Sequence, residues 1–362
     1  MVDVDVLLTP RDVGGHEAAL FTWLADAWRH DGLLPRLLLP RALHQLAQQR
    51  GLEGRVSKTR PIEGRCDALA ALHEAPRGRP VLLAPGVLHA QAWLMAAAVL
   101  ARRPVWLYVP MCFSAETMGY RFARLRDRAL APWLDRVKGI VTIDEQQAQR
   151  LRDEWGVSVP VFALPNRVCL RGAAPPPPPL AADGRLRVGY VGRFELHQKG
   201  LDWLADTLRR ERALGEEFHW RFQGRGPGEW ALQTLASALG PQRVEVAPFA
   251  PIEQALERVD LLLLPSRYEG LPLVALEATA RGWPVVASDR AGLGGLLPGN
   301  AVFAFGDATA LRVALQSLAT PSARRAAVVH ARSRLLKYLP GEAYQRSRRA
   351  VVGALRQAGA SA

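Results

Sequence analysis

The chain has 362 residues, 49% hydrophobic and 22% charged, which is typical of a soluble globular protein and long enough for two core-bearing domains. The 47 Lys and Arg residues against 34 Asp and Glu give a formal net charge of +13, and this favours anionic partners such as a membrane surface. Cys66, Cys112 and Cys169 are far apart and match neither a metal-binding nor a disulfide pattern. A reducing cytoplasm suits them.

The N-terminal sequence MVDVDVLL is acidic and lacks the basic region of a signal peptide. Residues 81–101 carry no charge and are long enough to suggest a membrane span, but Pro85-Gly86, His89 and Gln91 interrupt them. A strand followed by a helix explains this stretch better. We therefore expect a cytoplasmic protein, with any membrane contact peripheral at the inner face.

The first half of the chain alternates between apolar strands and helices. Apolar runs predict strands at residues 4–9, 81–84, 105–109, 140–143 and 159–164, and apolar stripes predict helices at 16–30, 89–101 and 145–154. The first strand and helix are joined by a turn that contains Gly14-Gly15, which allows close backbone approach at a helix start. This pattern predicts a parallel α/β domain.

Five consecutive prolines at 175–179 form a stiff segment and mark the predicted linker, residues 173–184. A second α/β series begins at Leu186, with strands at 186–191 and 218–223. We therefore predict a first domain at 1–172, a second at 185–340, and a final helix at 341–362 that crosses back to the first domain.

The most informative stretch, residues 261–289, reads LLLLPSRYEGLPLVALEATARGWPVVASD and predicts a strand, a loop, a helix and a second strand. Its loop follows a buried parallel strand, where open α/β sheets bind ligands. Glu269 and Glu277 flank the backbone amides of a helix start, which suits a phosphate between two hydroxyl-rich groups. A second interpretation remains open, in which the acidic residues merely complement the helix dipole.

This stretch resembles the E-x7-E region of family 4 glycosyltransferases, which are retaining enzymes of the GT-B fold. The turn of that region is present as Glu269-Gly270-Leu271-Pro272. Further upstream, Gly192-Arg193 followed by Lys199-Gly200 resembles the two-cation signature that holds the donor diphosphate in this family. Gly14-Gly15-His16-Glu17 resembles its first loop, which faces the same diphosphate.

The resemblance implies an α/β protein of the GT-B fold, in which two Rossmann-like domains face each other across a cleft. By position, Arg193 and Lys199 are expected to hold the diphosphate, Glu277 the ribose, and Glu269 the donor sugar. Gly14, Gly15, Gly270 and Leu271 complete the expected donor site, and Arg193, Lys199 and Glu269 are the expected catalytic residues. The resemblance further implies a nucleoside diphosphate sugar as donor, a UDP-sugar rather than a GDP-sugar, with no cofactor and no metal.

The acceptor side departs from the family pattern. Many members carry a histidine after the strand that corresponds to 105–109, whereas this chain has Pro110-Met111. His89 at another strand-to-helix junction and Met111 are the acceptor-side candidates. A buried structural histidine is the alternative interpretation of His89.

The implied function is transfer of a hexosyl group to a glycan or lipid-linked acceptor, as in polysaccharide or lipopolysaccharide biosynthesis. A nucleotide-sugar epimerase of the same fold and a non-enzymatic polyanion-binding protein remain as alternatives, and no nucleic-acid partner is expected. Residues 110–131 interleave apolar and basic side chains, which suits either an anionic membrane surface or an ordinary half-buried helix.

Overall fold

The computed structural model describes residues 1–9, 14–57, 61–168, 183–339 and 341–360. Cys169 and residues 173–182 of the predicted linker lie outside these ranges. The chain divides into two units, Met1–Arg167 with Pro340–Ala362, and Val168–Leu339. We call them the first and the second unit.

The first unit contains a six-stranded sheet of parallel strands in the order β2-β1-β3-β4-β5-β6. The strands are β1 (Val2–Leu7), β2 (Leu33–Leu38), β3 (Val81–Leu83), β4 (Val105–Tyr108), β5 (Gly139–Thr142) and β6 (Val161–Ala163). Its helices include α1 (Gly15–Asp31), α2 (His44–Gln49), α3 (Arg65–Glu74), α4 (Ala92–Leu100), α5 (Ala123–Leu134) and α6 (Glu145–Asp153). Buried apolar side chains of β3 and β4 pack against α4 and form the core.

The second unit contains another six-stranded parallel sheet, in the order β12-β11-β10-β7-β8-β9. The strands are β7 (Arg187–Arg193), β8 (His219–Arg225), β9 (Val244–Ala247), β10 (Leu261–Leu264), β11 (Val285–Ser288) and β12 (Val302–Phe303). The helices include α7 (Leu201–Arg210), α8 (Arg212–Glu217), α9 (Glu229–Leu239), α10 (Ile252–Leu256), α11 (Leu273–Ala280), α12 (Ala308–Ser317) and α13 (Pro321–Arg334).

The last helix, α14 (Glu342–Ala360), belongs to the first unit and packs against α1 and β1. The Tyr344 hydroxyl donates to Asp26 Oδ2 at 3.0 Å, and Arg348 forms a buried ion pair with Asp31. Val351 and Leu355 are fully buried in this contact. Apolar burial and these polar contacts together hold the end of the chain on the first unit.

The sequence analysis did not predict three of the strands, β2, β9 and β12. Pro35 argues against a strand because proline lacks a ladder donor, but β2 is an edge strand, where proline is tolerated. The helix expected at 89–101 begins only at Ala92, since residues 88–91 form turns. Within the described ranges, every helix is too short or too polar to cross a membrane.

Candidate active site

The strand order of the second sheet reverses between β7 and β10. These two strands are neighbours, and the chain proceeds from β7 to β8 and β9 on one side and from β10 to β11 and β12 on the other. Because the strands are parallel, the loops at 194–200 and 265–272 leave the same carboxyl edge. Open α/β sheets bind ligands at such a point.

The backbones of these two loops contact each other directly. The Arg267 N–H donates to the Gln198 carbonyl at 2.8 Å. Gly200 has a φ of 66°, and a Cβ at this position would lie 1.9 Å from the Pro265 carbonyl oxygen. Only glycine fits here, because a side chain would separate the two loops.

Glu269 lies at the centre of this contact and is 6% exposed. Its Oε1 forms an ion pair with Lys199 Nζ and accepts from the Ser266 hydroxyl at 3.4 Å. Its Oε2 accepts from the Gln198 amide at 3.4 Å. Two expected donor-binding residues, one in each loop, therefore bind each other.

Lys199 lies in a loop, yet it is not an exposed residue. Its side chain is only 17% exposed, because the ion pair draws it onto the buried carboxylate of Glu269. A charge that is this desolvated needs a partner, and Glu269 supplies it. Lys199 thus has a structural contact as well as its expected role.

Arg193, in contrast, is an exposed residue at the end of β7. Its carbonyl accepts the Tyr190 hydroxyl at 2.6 Å, which anchors the backbone. Burial raises the pKa of Tyr190, and the nearby charge of Glu269 adds to this, so the phenol remains a donor. Among the described residues the Arg193 guanidinium has no hydrogen bond or ion pair, and it is available for an anion.

Arg267 was missed by the sequence analysis. Its guanidinium donates to both carboxylate oxygens of Asp202 at 3.2 Å and lies 4.9 Å from the centre of the Phe305 ring. Arg290 lies 5.3 Å from the same ring. Because Asp202 is at the start of α7, Arg267 ties the loop after β10 to the helix after β7. The sequence did contain a signal for Arg267, because this residue lies in the loop that carries the Glu269-Gly270-Leu271-Pro272 turn.

Glu277 lies in the second turn of α11 and is half-buried. Pro272 is the N-cap, and Ala275 is the donor of a 3.1 Å bond to the Pro272 carbonyl. The amides of Leu273 and Val274 precede this bond and point out of the helix start. Gly270 and Leu271 are buried immediately before the cap. The glutamates and the helix start are therefore consecutive parts of one site.

In the first unit, Gly14 is the N-cap of α1 and Gly15 is its first residue. The Gly14 N–H donates to Glu17 Oε2 at 2.8 Å, and the same oxygen lies 3.0 Å from His16 Nδ1. The His16 ring packs on Gly86, where a Cβ would lie 2.9 Å from Cε1. The glycine turn is thereby braced against the loop after β3.

The structure places His89 in the interior of the first unit, with its side chain 6% exposed. Nε2 lies 2.9 Å from Asp127 Oδ1, and the ring packs against Tyr120 and Trp155. Burial lowers the pKa of His89, against the opposing effect of Asp127. Met111 is half-buried and pairs through its backbone with Val87, so the two acceptor-side candidates lie in adjacent loops.

The segment that interleaves apolar and basic residues splits into two parts. Phe113 and Met118 are buried, whereas Phe122 and Leu125 are 66% and 69% exposed. Tyr120 is also exposed. The first part is core, and the second presents apolar side chains at the start of α5.

Known proteins resemble this chain both in sequence and in fold. Residues 185–320 match the family model described as glycosyl transferases group 1. The chain is 28% identical over 232 residues to a 2-deoxystreptamine glucosyltransferase of Streptomyces kanamyceticus, covering 58% of this chain and 59% of that protein. It is 33% identical over 131 residues to the lipopolysaccharide 1,6-galactosyltransferase of Salmonella typhimurium, covering 34% and 35%. The chain therefore spans less than two thirds of the length of these curated relatives.

The fold resembles the solved structure of Anabaena HepE in complex with UDP-glucose. The TM-score is 0.74 at 17% identity, and the match covers 98% of this chain and 100% of that one. The prediction of an α/β fold built from two Rossmann-like domains of the GT-B type is confirmed by this likeness and by the two parallel sheets. Arg193, Lys199, Glu269 and Glu277 all lie inside the region that matches the family model.

Proposed function

We propose that this protein is a retaining glycosyltransferase that moves a hexosyl group from a UDP-sugar to a glycan or lipid-linked acceptor. The observation that carries the proposal is the convergence of Lys199, Glu269 and the start of α11 at the turning point of the second sheet. The match to the glycosyl transferases group 1 model supports it. So does the likeness to a structure that contains UDP-glucose.

In the proposed complex, Arg193 and Lys199 bind the diphosphate, and the amides at the start of α11 add a positive partial charge. Glu277 binds the ribose hydroxyls. The anomeric C–O bond to the diphosphate breaks while the acceptor oxygen bonds to the same face of the sugar. The acceptor's proton passes to the departing phosphate oxygen, because attack from that face brings the two oxygens together. Preorganised cations stabilise the charge that develops on the leaving group.

In this proposal, binding of the donor separates the Lys199–Glu269 ion pair. Diphosphate binding recruits Lys199 as a point charge, and the Glu269 carboxylate then accepts hydrogen bonds from the donor sugar. Both loops are fixed by backbone contact, so the exchange requires only side-chain rotation. We propose that no metal ion takes part, since these cations and the helix start neutralise the diphosphate.

Donor identity is tested by measuring the thermal stability of the protein with a panel of UDP- and GDP-hexoses. A donor at 100 times its dissociation constant adds about 2.7 kcal/mol to the free energy of unfolding. The donor found in this way is then incubated with acceptors, and the anomeric configuration of the product is read by NMR. Retention supports the proposal. An epimerised sugar formed from the donor alone would assign the protein to the epimerase alternative.

For the acceptor, we propose a lipid-linked glycan reached from an anionic membrane surface. The start of α5 presents Phe122 and Leu125 beside Arg121, Arg124 and Arg128, all of them exposed; we call these five residues the α5 surface. Phe122 is held at φ 59°, ψ 38°, a left-handed conformation that costs a bulky residue about 1–2 kcal/mol. The Phe122 ring contacts the Arg121 guanidinium at 4.8 Å but is 66% exposed, so burial does not offset that cost. Insertion into the headgroup boundary supplies the missing apolar contact.

A further inference from the structure

A cavity of about 240 Å³ opens in the second unit, at the amino edge of the sheet, opposite the edge that carries the candidate active site. The residues that line it belong to the starts of β7 and β8, the approach to β9 and the segment before β10. Those used below are Arg187, His219, Arg221, Gln242, Arg243 and Arg258. It is smaller than the roughly 300–1,000 Å³ of pockets for drug-sized ligands, so it suits a small ion.

The sheet register places the basic residues on one face. Arg187 is the neighbour of His219 across β7 and β8, and Arg221 is the neighbour of Glu245 across β8 and β9. Residues two apart along a strand point to the same face, so Arg221 and His219 share it. Four arginines, a histidine and one carboxylate, Glu245, line the same small cavity.

Two of the arginines are fixed by carboxylates, Asp260 and Glu245, and Glu245 also lines the cavity. Arg187 donates to Asp260 through Nε at 3.1 Å and Nη2 at 2.8 Å, and Asp260 is fully buried behind it. Arg221 forms an ion pair with Glu245, whose side chain is 58% exposed. These two guanidinium groups form a fixed wall of the cavity, and each is paired with one carboxylate.

His219 lies in the same wall of the cavity. Its Nδ1 lies 2.9 Å from the Gln242 carbonyl oxygen, and its Nε2 lies 2.9 Å from Asp183 Oδ2. Both ring nitrogens of His219 thus lie within hydrogen-bond distance of an oxygen, which fixes the orientation of the ring. The pKa of Asp183 is lowered by its hydrogen bonds to Arg185 and His219, so this carboxylate stays ionised.

Of the remaining two arginines, Arg258 is available to a ligand, and Arg243 is held only by a long ion pair to Asp183. Arg243 reaches Asp183 only at 3.6 Å, beyond hydrogen-bond distance. Arg258 is exposed, and within the part of the chain that the structure describes it has no ion pair. A phosphate group accepts bidentate bonds from guanidinium groups such as these two.

We infer that this cavity binds a small phosphate-bearing anion between Arg243 and Arg258, at a site separate from the candidate active site. Anion binding at this edge does not require turnover of a donor sugar. The two sites belong to opposite ends of β7, which runs from Arg187 in the cavity to Arg193 at the candidate active site. The two can therefore be tested independently with the same probe.

The probe is inorganic pyrophosphate, titrated calorimetrically into the full chain. We expect Arg243→Gln/Arg258→Gln to weaken pyrophosphate binding at this site by at least about tenfold, the effect of losing one or more charge-assisted bonds. The matched control, Arg210→Gln/Arg212→Gln, removes the same charge from two side chains in the same unit that are 78% exposed, and should leave binding unchanged. Arg258→Gln alone concerns an exposed residue and excludes a folding defect as the cause.

Arg193→Gln separates this site from the donor site, where pyrophosphate is also expected under the proposed function. Binding that survives Arg193→Gln and is lost in Arg243→Gln/Arg258→Gln supports the cavity. Binding that is lost in Arg193→Gln and unchanged in Arg243→Gln/Arg258→Gln would place the anion at the candidate active site alone. That result, or the absence of pyrophosphate binding to the unmodified chain, overturns the inference.

Discussion

Lys199 Nζ and Glu269 Oε1 form an ion pair that joins the loop after β7 to the loop after β10. The two residues are 70 positions apart, and only the adjacency of β7 and β10 brings them together. Lys199 is a compact charge that a diphosphate can recruit, and Glu269 is a carboxylate whose other neighbours are the neutral donors Ser266 and Gln198. The pair is therefore a structural contact, and under the proposed function it is also the part of the site that donor binding rearranges.

The first prediction concerns the energetic coupling of this pair. Lys199→Ala leaves a buried carboxylate without its cation, and we expect it to lower the free energy of unfolding by about 1–3 kcal/mol. In Lys199→Ala/Glu269→Gln the second change removes that charge, so the coupling energy should be about 0.5–3 kcal/mol. Chemical denaturation of the unmodified protein, the two single variants Lys199→Ala and Glu269→Gln, and the double variant measures this coupling energy. Lys138→Ala, at an exposed lysine, is the control, and additive effects would contradict the assigned contact.

The second prediction separates Arg193 from Lys199. Arg193 is exposed and unpaired among the described residues, so Arg193→Gln should leave the free energy of unfolding unchanged. Turnover should nevertheless fall about 10²–10³-fold, the effect of losing one preorganised charge-stabilising group. Initial rates with saturating donor measure this. Arg210→Gln is the control for the loss of one exposed charge in the same unit, and equal rates in both variants would move the diphosphate away from Arg193.

The third prediction divides the roles of the two glutamates. Glu277→Gln weakens a charged bond to ribose that contributes about 1.5–3 kcal/mol, so the affinity for UDP should fall. Glu269→Gln should spare UDP affinity and lower the rate of transfer, because its carboxylate is assigned to the donor sugar. Calorimetric titration with UDP, beside rate measurements on both variants, tests the division. Equal losses of UDP affinity would show that both residues contact the nucleotide.

The loops of the site were predictable because local chemistry defines them. Pro265 follows the end of β10 and Pro272 is the N-cap of α11, as expected for residues that lack an N–H. Glu269 lies in the loop between them, and Glu277 lies in the helix, as the sequence predicts. The contact between Lys199 and Glu269 was not predictable, since it depends on which strands are neighbours. Sequence spacing carries no such information.

The interleaved segment shows a second limit of sequence reasoning. Its apolar residues alternate with arginines, but the chain is helical only from Ala123 onward. The preceding loop buries Phe113 and Met118 and leaves Phe122 exposed. A periodicity argument assumes one regular element, so it could not separate the core residues from the surface ones.

The fourth prediction uses the buried histidine of the first unit. Burial lowers the pKa of His89 from 6.5, so the unfolded chain binds a proton more readily than the folded one. His89 therefore contributes stability above pH 6.5 that is lost as the pH falls towards its folded pKa. His89→Gln should reduce this slope, measured by thermal unfolding between pH 5 and pH 8. His73→Gln, at an exposed histidine, is the control, and an unchanged slope in His89→Gln would show that His89 titrates freely.

The last prediction concerns the α5 surface and membranes. Phe122→Gly relieves the left-handed backbone and should raise the free energy of unfolding by about 1 kcal/mol, while it removes an apolar side chain that is proposed to enter the bilayer. We expect less of this variant to co-sediment with vesicles that contain phosphatidylglycerol. Arg124→Gln/Arg128→Gln should lose about 1 kcal/mol of membrane affinity per arginine, and the loss should shrink at high salt.

Leu69→Ser/Leu100→Ser removes two exposed leucines elsewhere in the first unit and is the matched control. If the protein binds membranes through this surface, the fraction that co-sediments with vesicles should depend on anionic lipid. That fraction should fall only when the α5 surface is changed. Equal recovery of the unmodified protein on neutral and anionic vesicles, or none on either, would instead assign the acceptor to solution. In that case Phe122→Gly would improve stability at no cost to transfer, because the strained phenylalanine would have no role in reaching the acceptor.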